Sequence, residues 1–404
     1  MSVNFPAIKT KTAKFDDLSV MPVSCRVSGG GAVPALSAKY LAEGMSGITK
    51  AFYSKGTKLY LLFADGYLYI SGNGTKFTPF LNVSAKSPFV LDLLQDGKAY
   101  AALVFGKTAT RLTAEGFDGV PLGENLVSGV MHCGRLFGVT DDGLRVCWSK
   151  CGIDDWTQKL NGGGSIYLGL DRGEILEILE FGENLVALRK HGLTFLAMYG
   201  SPENFSVKLT DTDTDEIIPD TAKAVEGKLY FCTKTGICVF DGEFVSKLSH
   251  RFESEIEECF FAESYAGGYY LSCTTANFGK VIFCYEPSTG ESYIINVEAD
   301  AMCVSDKLYV YNEEGIYSLE NGGEYSLIAH GADFGTGANK TVTEVYADSE
   351  NCEVEIGNGV FSRRFTNVNG AVRPSLRGRK FNITVSGREP LKSLTLTAEV
   401  SVGI

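Results

Sequence analysis

The apolar positions of this chain fall into short runs, and a glycine interrupts them at regular intervals. The clearest copy is KLYFCTKTGICVFDG at residues 228–242. Leu229, Tyr230, Phe231 and Cys232 are followed by a polar turn, and Gly236 restarts a second run from Ile237 to Phe240. Two apolar runs split by a Gly-containing turn predict a β-hairpin. A lone hairpin is only marginally stable in water, so the unit needs neighbours. The eight-residue step from Lys228 to Gly236 recurs from Lys58 to Gly66, Lys98 to Gly106, Arg135 to Gly143, Asn184 to Gly192 and Lys307 to Gly315. A looser copy runs from Gly268 to Gly279. The starts at 58, 98, 135, 184, 228, 268 and 307 are separated by 40, 37, 49, 44, 40 and 39 residues. A period near forty residues with four short strands per unit is the signature of a β-propeller.

Each hairpin is preceded by a further apolar strand: SGITKAFY, PFVLDLL, VSGVMHC, EILEILEF, DTAKAVE, CFFAESY and DAMCVSD. EILEILEF also fits a short helix, but its position before the NLVALRKHGLTFL copy favours strand. The prediction is an all-β chain: an about seven-bladed β-propeller over residues 41–330, then a small C-terminal β-sandwich over 338–404. The third gap, of 49 residues, carries an insertion that spans Trp148 and Gly169. GADFGTG at 331–337 reads as a linker. After it, TVTEVYADS, CEVEIGN, FSRRFTN, RKFNITVSG and LKSLTLTAEV alternate with turn signals, as a sandwich does. Residues 1–40 do not repeat and read as an arm on a neighbouring subunit, a strand closing the propeller, or a leader.

Composition narrows the function classes. Of 404 residues, 44% are hydrophobic and 21% charged, ordinary for a folded chain. The net charge of −12 is uneven: from Lys340 onward nine basic and seven acidic residues give +2, so the rest carries −14. An acidic propeller repels phosphate, which argues against sequence-specific nucleic-acid binding. MSVNFPAIKTKTAKFDD has no apolar core of a signal peptide, and no apolar run approaches membrane-spanning length, so neither a leader nor a membrane anchor is expected. The eleven cysteines are odd in number and lack C-x-x-C pairs. Cys232, Cys238, Cys273, Cys284 and Cys303 fall within predicted strands, so buried free thiols of a chain folded in a reducing cytosol are expected.

Candidate chemistry is sparse. The four histidines, His132, His191, His250 and His330, lie in four different units without metal-ligand spacing. Asp211, Asp213 and Asp215 in TDTDTDE alternate like the start of a calcium loop, but Glu216 stands where that loop needs glycine, so an acidic connector is the stronger reading. Gly162, Gly163 and Gly164 lack a phosphate-loop lysine. No G-x-S-x-G elbow occurs, and sialidase-type Asp boxes do not repeat. Paired carboxylates of a glycosidase are not excluded among 49 acidic residues. No catalytic residue, cofactor or resident metal is expected, and the chain reads as no enzyme. Arg363, Arg364, Arg373, Arg377 and Arg379 make the C-terminal region locally basic: a solvated strand face, or a docking surface for an acidic partner such as the propeller of a neighbouring copy.

Both tryptophans lie in the insertion, as Val146-Cys147-Trp148-Ser149 and then Asp154-Asp155-Trp156-Thr157. With ILEILEFGENLV at 175–186, Leu188-Arg189-Lys190, Leu193-Thr194-Phe195-Leu196 and VRPSLRGRKF at 372–381, this stretch resembles the packaged-DNA stabilisation and head-to-tail connector propellers of short-tailed bacteriophages. The resemblance makes Trp148, Ser149, Asp155 and Trp156 the family-motif residues. It implies a virion structural protein of the tail or head–tail junction, assembled in the host cytoplasm. Such a protein forms a homo-oligomeric ring, for instance a hexamer, bridges portal or adaptor to tail proteins, and helps retain packaged DNA. Two other readings stand beside it. One is a carbohydrate-binding or carbohydrate-cleaving propeller using Tyr53, Tyr199 and Tyr265 as platforms; the other is a bacterial scaffold of the kelch or tryptophan–aspartate type.

Overall fold

The computed structural model describes residues 7–14, 19–28, 31–83, 88–158, 162–208 and 212–402, almost wholly as strands. The first unit comprises strands at Ile48–Ser54, Leu59–Ala64, Tyr67–Ser71 and Thr78–Asn82; these are β6 to β9, after β1 (Ala7–Lys14), β2 (Val20–Val23), β3 (Cys25–Ser28), β4 (Gly31–Pro34) and β5 (Leu36–Glu43). A six-stranded sheet follows: β10 (Phe89–Gln95), β11 (Lys98–Leu112), β12 (Phe117–His132), β13 (Arg135–Thr140), β14 (Arg145–Trp148) and β15 (Gly164–Tyr167). Two four-stranded sheets come next. They are β16 (Ile175–Phe181), β17 (Asn184–Arg189), β18 (Gly192–Ala197) and β19 (Ser206–Lys208), then β20 (Lys223–Val225), β21 (Lys228–Thr233), β22 (Gly236–Phe240) and β23 (Val245–Lys247). The last units are β24 (Ile256–Tyr265), β25 (Gly268–Thr275), β26 (Gly279–Glu286) and β27 (Glu291–Ile295), then β28 (Ala301–Val304), β29 (Leu308–Tyr311) and β30 (Gly315–Asn321). The chain ends with β31 (Tyr325–Ala332), β32 (Lys340–Gly357), β33 (Ser362–Val372), β34 (Leu376–Gly378), β35 (Phe381–Gly387) and β36 (Leu391–Val402).

The Lys-Leu-Tyr strands are apolar at nearly every position because both of their faces are buried. Successive side chains of a strand point to opposite faces. On β21, Leu229 and Phe231 pack against Val186 and Leu188 of the preceding unit, while Tyr230 and Cys232 pack against Tyr269 and Leu271 of the next. The same alternation continues through Tyr270 with Leu308 and Val310, through Tyr309 and Tyr311 with Tyr60 and Leu62, and through Leu61 and Phe63 with Ala101 and Leu103. Leu91 and Leu93 pack with Leu136, and Phe137 and Val139 with Leu185 and Ala187, so the chain of inter-unit cores closes into a ring. Each fully buried leucine, valine or phenylalanine among them contributes roughly 1.5–3 kcal/mol. Inside the ring, the leading strands of successive units meet: β6 with β10, β12 with β16, β20 with β24, β24 with β28 and β28 with β6. The arrangement is a β-propeller. EILEILEF is the strand β16.

Seven separate blades are not formed. Five sheets of four or six strands stand alone, and β24–β27 form one end of a fourteen-stranded sheet. The copies beginning at Lys98 and Arg135 share the six-stranded sheet. Gly106 (φ +59°) makes a bulge there instead of a turn, so β11 runs straight through to Leu112. In the copy at 228, by contrast, Gly236 (φ +137°) ends the turn in a conformation that favours glycine, and β22 doubles back on β21. The beginning of the chain completes the unit at its far end: β5 pairs antiparallel with β30, Leu36 opposite Asn321 and Glu43 opposite Gly315.

The C-terminal strands are not a self-contained sandwich of residues 338–404. β36 pairs with β1, β32 and β4; β31 pairs with both β2 and β35; and β2 also meets β27. Their core mixes Ala13, Val20, Val27 and Ala32 with Val342, Ile356, Val385 and Leu396. TVTEVYADS and CEVEIGN, expected as two strands, are one, β32, kinked by bulges between Ala347 and Cys352 and between Cys352 and Val354. The segment expected as a linker is pinned by the buried Lys340. Its ammonium donates to the carbonyls of Asp333 (2.7 Å), Thr336 (2.7 Å) and Arg379 and lies 5.8 Å from the centre of the Phe334 ring.

Candidate functional site

The four motif residues build a loop. Ser149, fully buried, accepts from the Leu136 N–H (2.8 Å) and donates to the Gly152 carbonyl (2.6 Å). Asp155 accepts from the Thr157 N–H (3.0 Å) and pairs with Lys150 (3.2 Å). Trp156 donates to the Ile153 carbonyl (2.8 Å) and covers Gly123, where a Cβ would meet its ring at 2.6 Å. Trp148 packs on Phe137 and Phe205, with its indole nitrogen enclosed and without a protein hydrogen-bond partner. These contacts fasten the insertion between β14 and β15 to the six-stranded sheet, a role the residue types alone do not reveal.

Of the aspartate triplet, Asp211 lies outside the described residues. Asp213 binds Arg172 (2.7 Å), and Asp215 is exposed. No group of three or more His, Cys, Asp or Glu among the described residues is placed to hold a metal ion. The histidines do not converge. His132 bonds Glu180 (2.8 Å), His250 stacks on Phe283 (4.8 Å) and His330 lies beside Phe278 (6.1 Å). Burial pushes His250 down to about 4.

Sequence reasoning missed a charged cluster where the leading strands meet. Lys50 on β6 faces Asp220 (3.8 Å), and Lys223 on β20 faces Glu263 on β24 (3.2 Å). Glu177 on β16 senses all four charges. Asp220 sits in a left-handed turn (φ +60°), held to β24 by the Ala262 N–H bonding its carbonyl (3.0 Å). Burial pushes the Glu177 carboxyl up to about 7 against the attraction of Lys223, and its Oε2 is enclosed without a hydrogen-bond partner. Burial works against the Lys223 ammonium, but Glu263 and Glu177 outweigh it and raise its pKa. Two ion pairs, which connect β6 with the turn before β20 and β20 with β24, bracket one proton-binding carboxyl on β16. The sequence signal was a lysine or acid inside several of the apolar leading strands, such as Lys50, Glu177, Lys223 and Glu263.

Further along the same strands, Tyr53 stacks on Tyr60 (4.6 Å), whose hydroxyl bonds Ser305 (2.8 Å), and Asp92 bonds Ser54 (2.6 Å). Tyr265 donates to the Asp306 carbonyl (3.4 Å). Tyr53 and Tyr265 therefore gather around Asp306, whose charge also bears on Tyr53. Tyr199 stands apart near the end of β18.

The five arginines are all exposed. Arg363 and Arg364 lie on β33, which pairs with β32 alone among the described residues, and Arg364 is bridged to Glu353. Arg373 precedes β34, Arg377 lies on it, and Arg379 follows. All five lie on or beside β33 and β34, both of which pair with β32, and Arg363 and Arg364, adjacent on one strand, point to opposite faces. They remain at the surface, whereas the charges at the propeller centre satisfy one another.

No protein-family model matches this chain, and no curated protein matches it in sequence. Among solved structures it is similar to the N-terminal domain of Nup159, at 9% identity and TM-score 0.45, over 72% of this chain and 95% of that one. It is also similar to the extracellular domain assigned to a hybrid two component system of B. thetaiotaomicron, at 12% identity and TM-score 0.49, over 82% of this chain and 52% of that one. A third is BBS1N, solved in complex with ARL6DN, at 11% identity and TM-score 0.47, over 69% and 92%. The chain spans about half the length of the B. thetaiotaomicron domain. None of the three is a phage connector, and likeness at this level concerns the fold alone.

Proposed function

We propose that the protein is a non-enzymatic structural component that assembles into a ring of identical copies, as the resemblance to head–tail junction propellers of short-tailed phages implies. The observation that carries the reading is the open margin of the C-terminal sheet. β33 is eleven residues long, exposed along most of its length and without a strand on its outer side among the described residues. Soluble proteins guard such margins, and one this long serves assembly when a partner covers it. The fused sheets support the same role. β2 pairs with β27 of the propeller and with β31 of the C-terminal strands, which ties the two into one sheet.

Charge supports self-association in a heterologous, ring-closing sense: the region from Lys340 onward carries +2 and the rest of the chain −14. In a ring, that acidic bulk hinders adsorption of DNA that passes through it. Sedimentation of the purified protein tests the proposal. Closed oligomers of defined mass that weaken as salt rises are expected, and a monomer at tens of micromolar in low salt overturns the reading.

A second reading keeps a foothold in Tyr53, Tyr265, Asp92 and Asp306, since tyrosines beside carboxylates suit a sugar ring. A glycan array that detects binding lost on Tyr53→Ala would favour it.

A further inference from the structure

We propose that Cys133 is a nucleophilic thiol served by His132 and Glu180, and that a peroxide joins it to Cys151 in a disulfide that staples the tryptophan insertion to the turn between β12 and β13. This chemistry is independent of ring assembly.

Nine of the eleven cysteines are buried, and burial pushes thiols such as Cys147 and Cys273 up to about 12. The two exposed ones, Cys133 and Cys151, lie beside the same turn. β12 and β13 are joined through Cys133 (φ +48°) and Gly134 (φ +73°), a two-residue corner closed by the pairing of His132 with Arg135. The same corner position holds Asp65, Asp96, Glu226 and Ala266 in other hairpins, so the turn itself does not call for a thiol.

Cys133 Sγ lies 3.5 Å from His132 Nε2, and His132 Nδ1 lies 2.8 Å from Oε1 of Glu180 on β16. The carboxylate selects the tautomer: Nδ1–H donates to Glu180, and the Nε2 lone pair is left facing the thiol. His132 is buried and meets the Phe137 ring edge-on at 5.9 Å, which holds the imidazole in place, while the cysteine beside it stays open to solvent. Nucleophile, base and orienting acid are in contact in that order, the arrangement that activates a cysteine.

The second thiol arrives with the insertion. The Gly152 N–H bonds the Gly134 carbonyl (2.9 Å), Arg135 bridges Gly152 in parallel register, and the Arg135 guanidinium donates to the Ser149 carbonyl (3.0 Å). That register sets Cys151 opposite Gly134, the residue after Cys133.

Hydrogen peroxide is the oxidant. The Cys133 sulfur attacks one peroxide oxygen as its proton passes to His132 Nε2. The O–O bond breaks, the departing hydroxide takes that proton from the imidazole and leaves as water, and a sulfenic acid remains. The Cys151 sulfur then attacks the Cys133 sulfur, the S–O bond breaks, and hydroxide leaves as water with the Cys151 proton. Two thiols and one peroxide give one disulfide and two waters, a stoichiometric step that needs no turnover.

Mass spectrometry of tryptic peptides from the full chain tests this. Under limiting iodoacetamide, Cys133 is expected to alkylate about tenfold faster than Cys151. His132→Gln or Glu180→Gln should remove that advantage while the Cys151 rate stays at the parent value. A merely structural role predicts the opposite, because a loosened turn exposes both thiols and raises both rates. After hydrogen peroxide, the parent should yield the Cys133 and Cys151 peptides linked and two hydrogens lighter. Cys151→Ser should instead leave a sulfenic acid at Cys133 that dimedone traps. Equal alkylation of the two thiols, or an advantage that survives His132→Gln, overturns the relay; a parent in which peroxide links no Cys133–Cys151 pair overturns the staple. None of these readouts depends on whether the parent forms rings.

Discussion

Glu177→Gln isolates one titration at the centre of the propeller. The Glu177 carboxyl is pushed from 4.5 to about 7, first by burial, with Lys223 and Lys50 pulling it down and Asp220 and Glu263 pushing it up. Because the folded chain holds this proton more tightly than the unfolded one, the stabilising contribution is complete below pH 4.5. It is lost as pH rises through 7. At about 1.4 kcal/mol per tenfold change, the whole effect is roughly 3 kcal/mol as an upper bound, of which about 2 kcal/mol disappears between pH 5.5 and 8. Glutamine keeps the shape and removes the proton. Urea unfolding of parent and variant, compared at each pH so that every other titrating group cancels, should show the variant gaining about 2 kcal/mol on the parent across that interval. A difference between the two chains that stays constant from pH 5.5 to 8 refutes the reasoning, since it would mean that the enclosed Oε2 is as well solvated in the folded chain as in the unfolded one.

Two further predictions concern buried cations. Lys340→Met leaves three carbonyls, those of Asp333, Thr336 and Arg379, without their shared donor, and should destabilise the chain by about 2–4 kcal/mol in urea unfolding; a change below about 0.5 kcal/mol would mean that solvent replaces the ammonium. Arg189, only 2% exposed, clasps the connection before β16 through the carbonyls of Leu168 (3.2 Å), Gly169 (2.8 Å) and Gly173 (3.0 Å) and through Asp171 (2.8 Å). Arg189→Lys keeps the charge but cannot span these acceptors, so about 2–3 kcal/mol of stability and the protease resistance of residues 168–173 should both fall; parent-like limited proteolysis would argue against the clasp.

Much of this fold was legible in the chain because its signals are local. The apolar run of β21, the turn ended by Gly236 and the leading apolar strand all act over a few residues, and they recur, so periodic counting found them. The same counting over-reached at Lys98. Gly106 stands at the correct step, yet whether a glycine turns the chain or merely bulges it depends on what the strand beyond it pairs with, here Phe117 to Pro121 of β12. The candidate sites were less legible. The arginines of the C-terminal margin were visible as a cluster, and so was the tryptophan stretch. Glu177 was hidden, because in EILEILEF it looks like one more solvent-facing acid.

By itself, then, the sequence determined that the chain is all-β, where most hairpins turn, and which apolar runs leave water. A hydrophobic pattern records that a side chain leaves water; it does not record against which partner. That second fact came only from tertiary structure. β1 pairs with β36 across nearly the whole chain, β5 completes the unit of β28 to β30, and the segment expected as a linker is fastened by Lys340. The pairing of Lys50 with Asp220 and of Lys223 with Glu263 has the same origin: ring closure brings four leading strands together, and burial there gives an ordinary glutamate a proton affinity near neutrality.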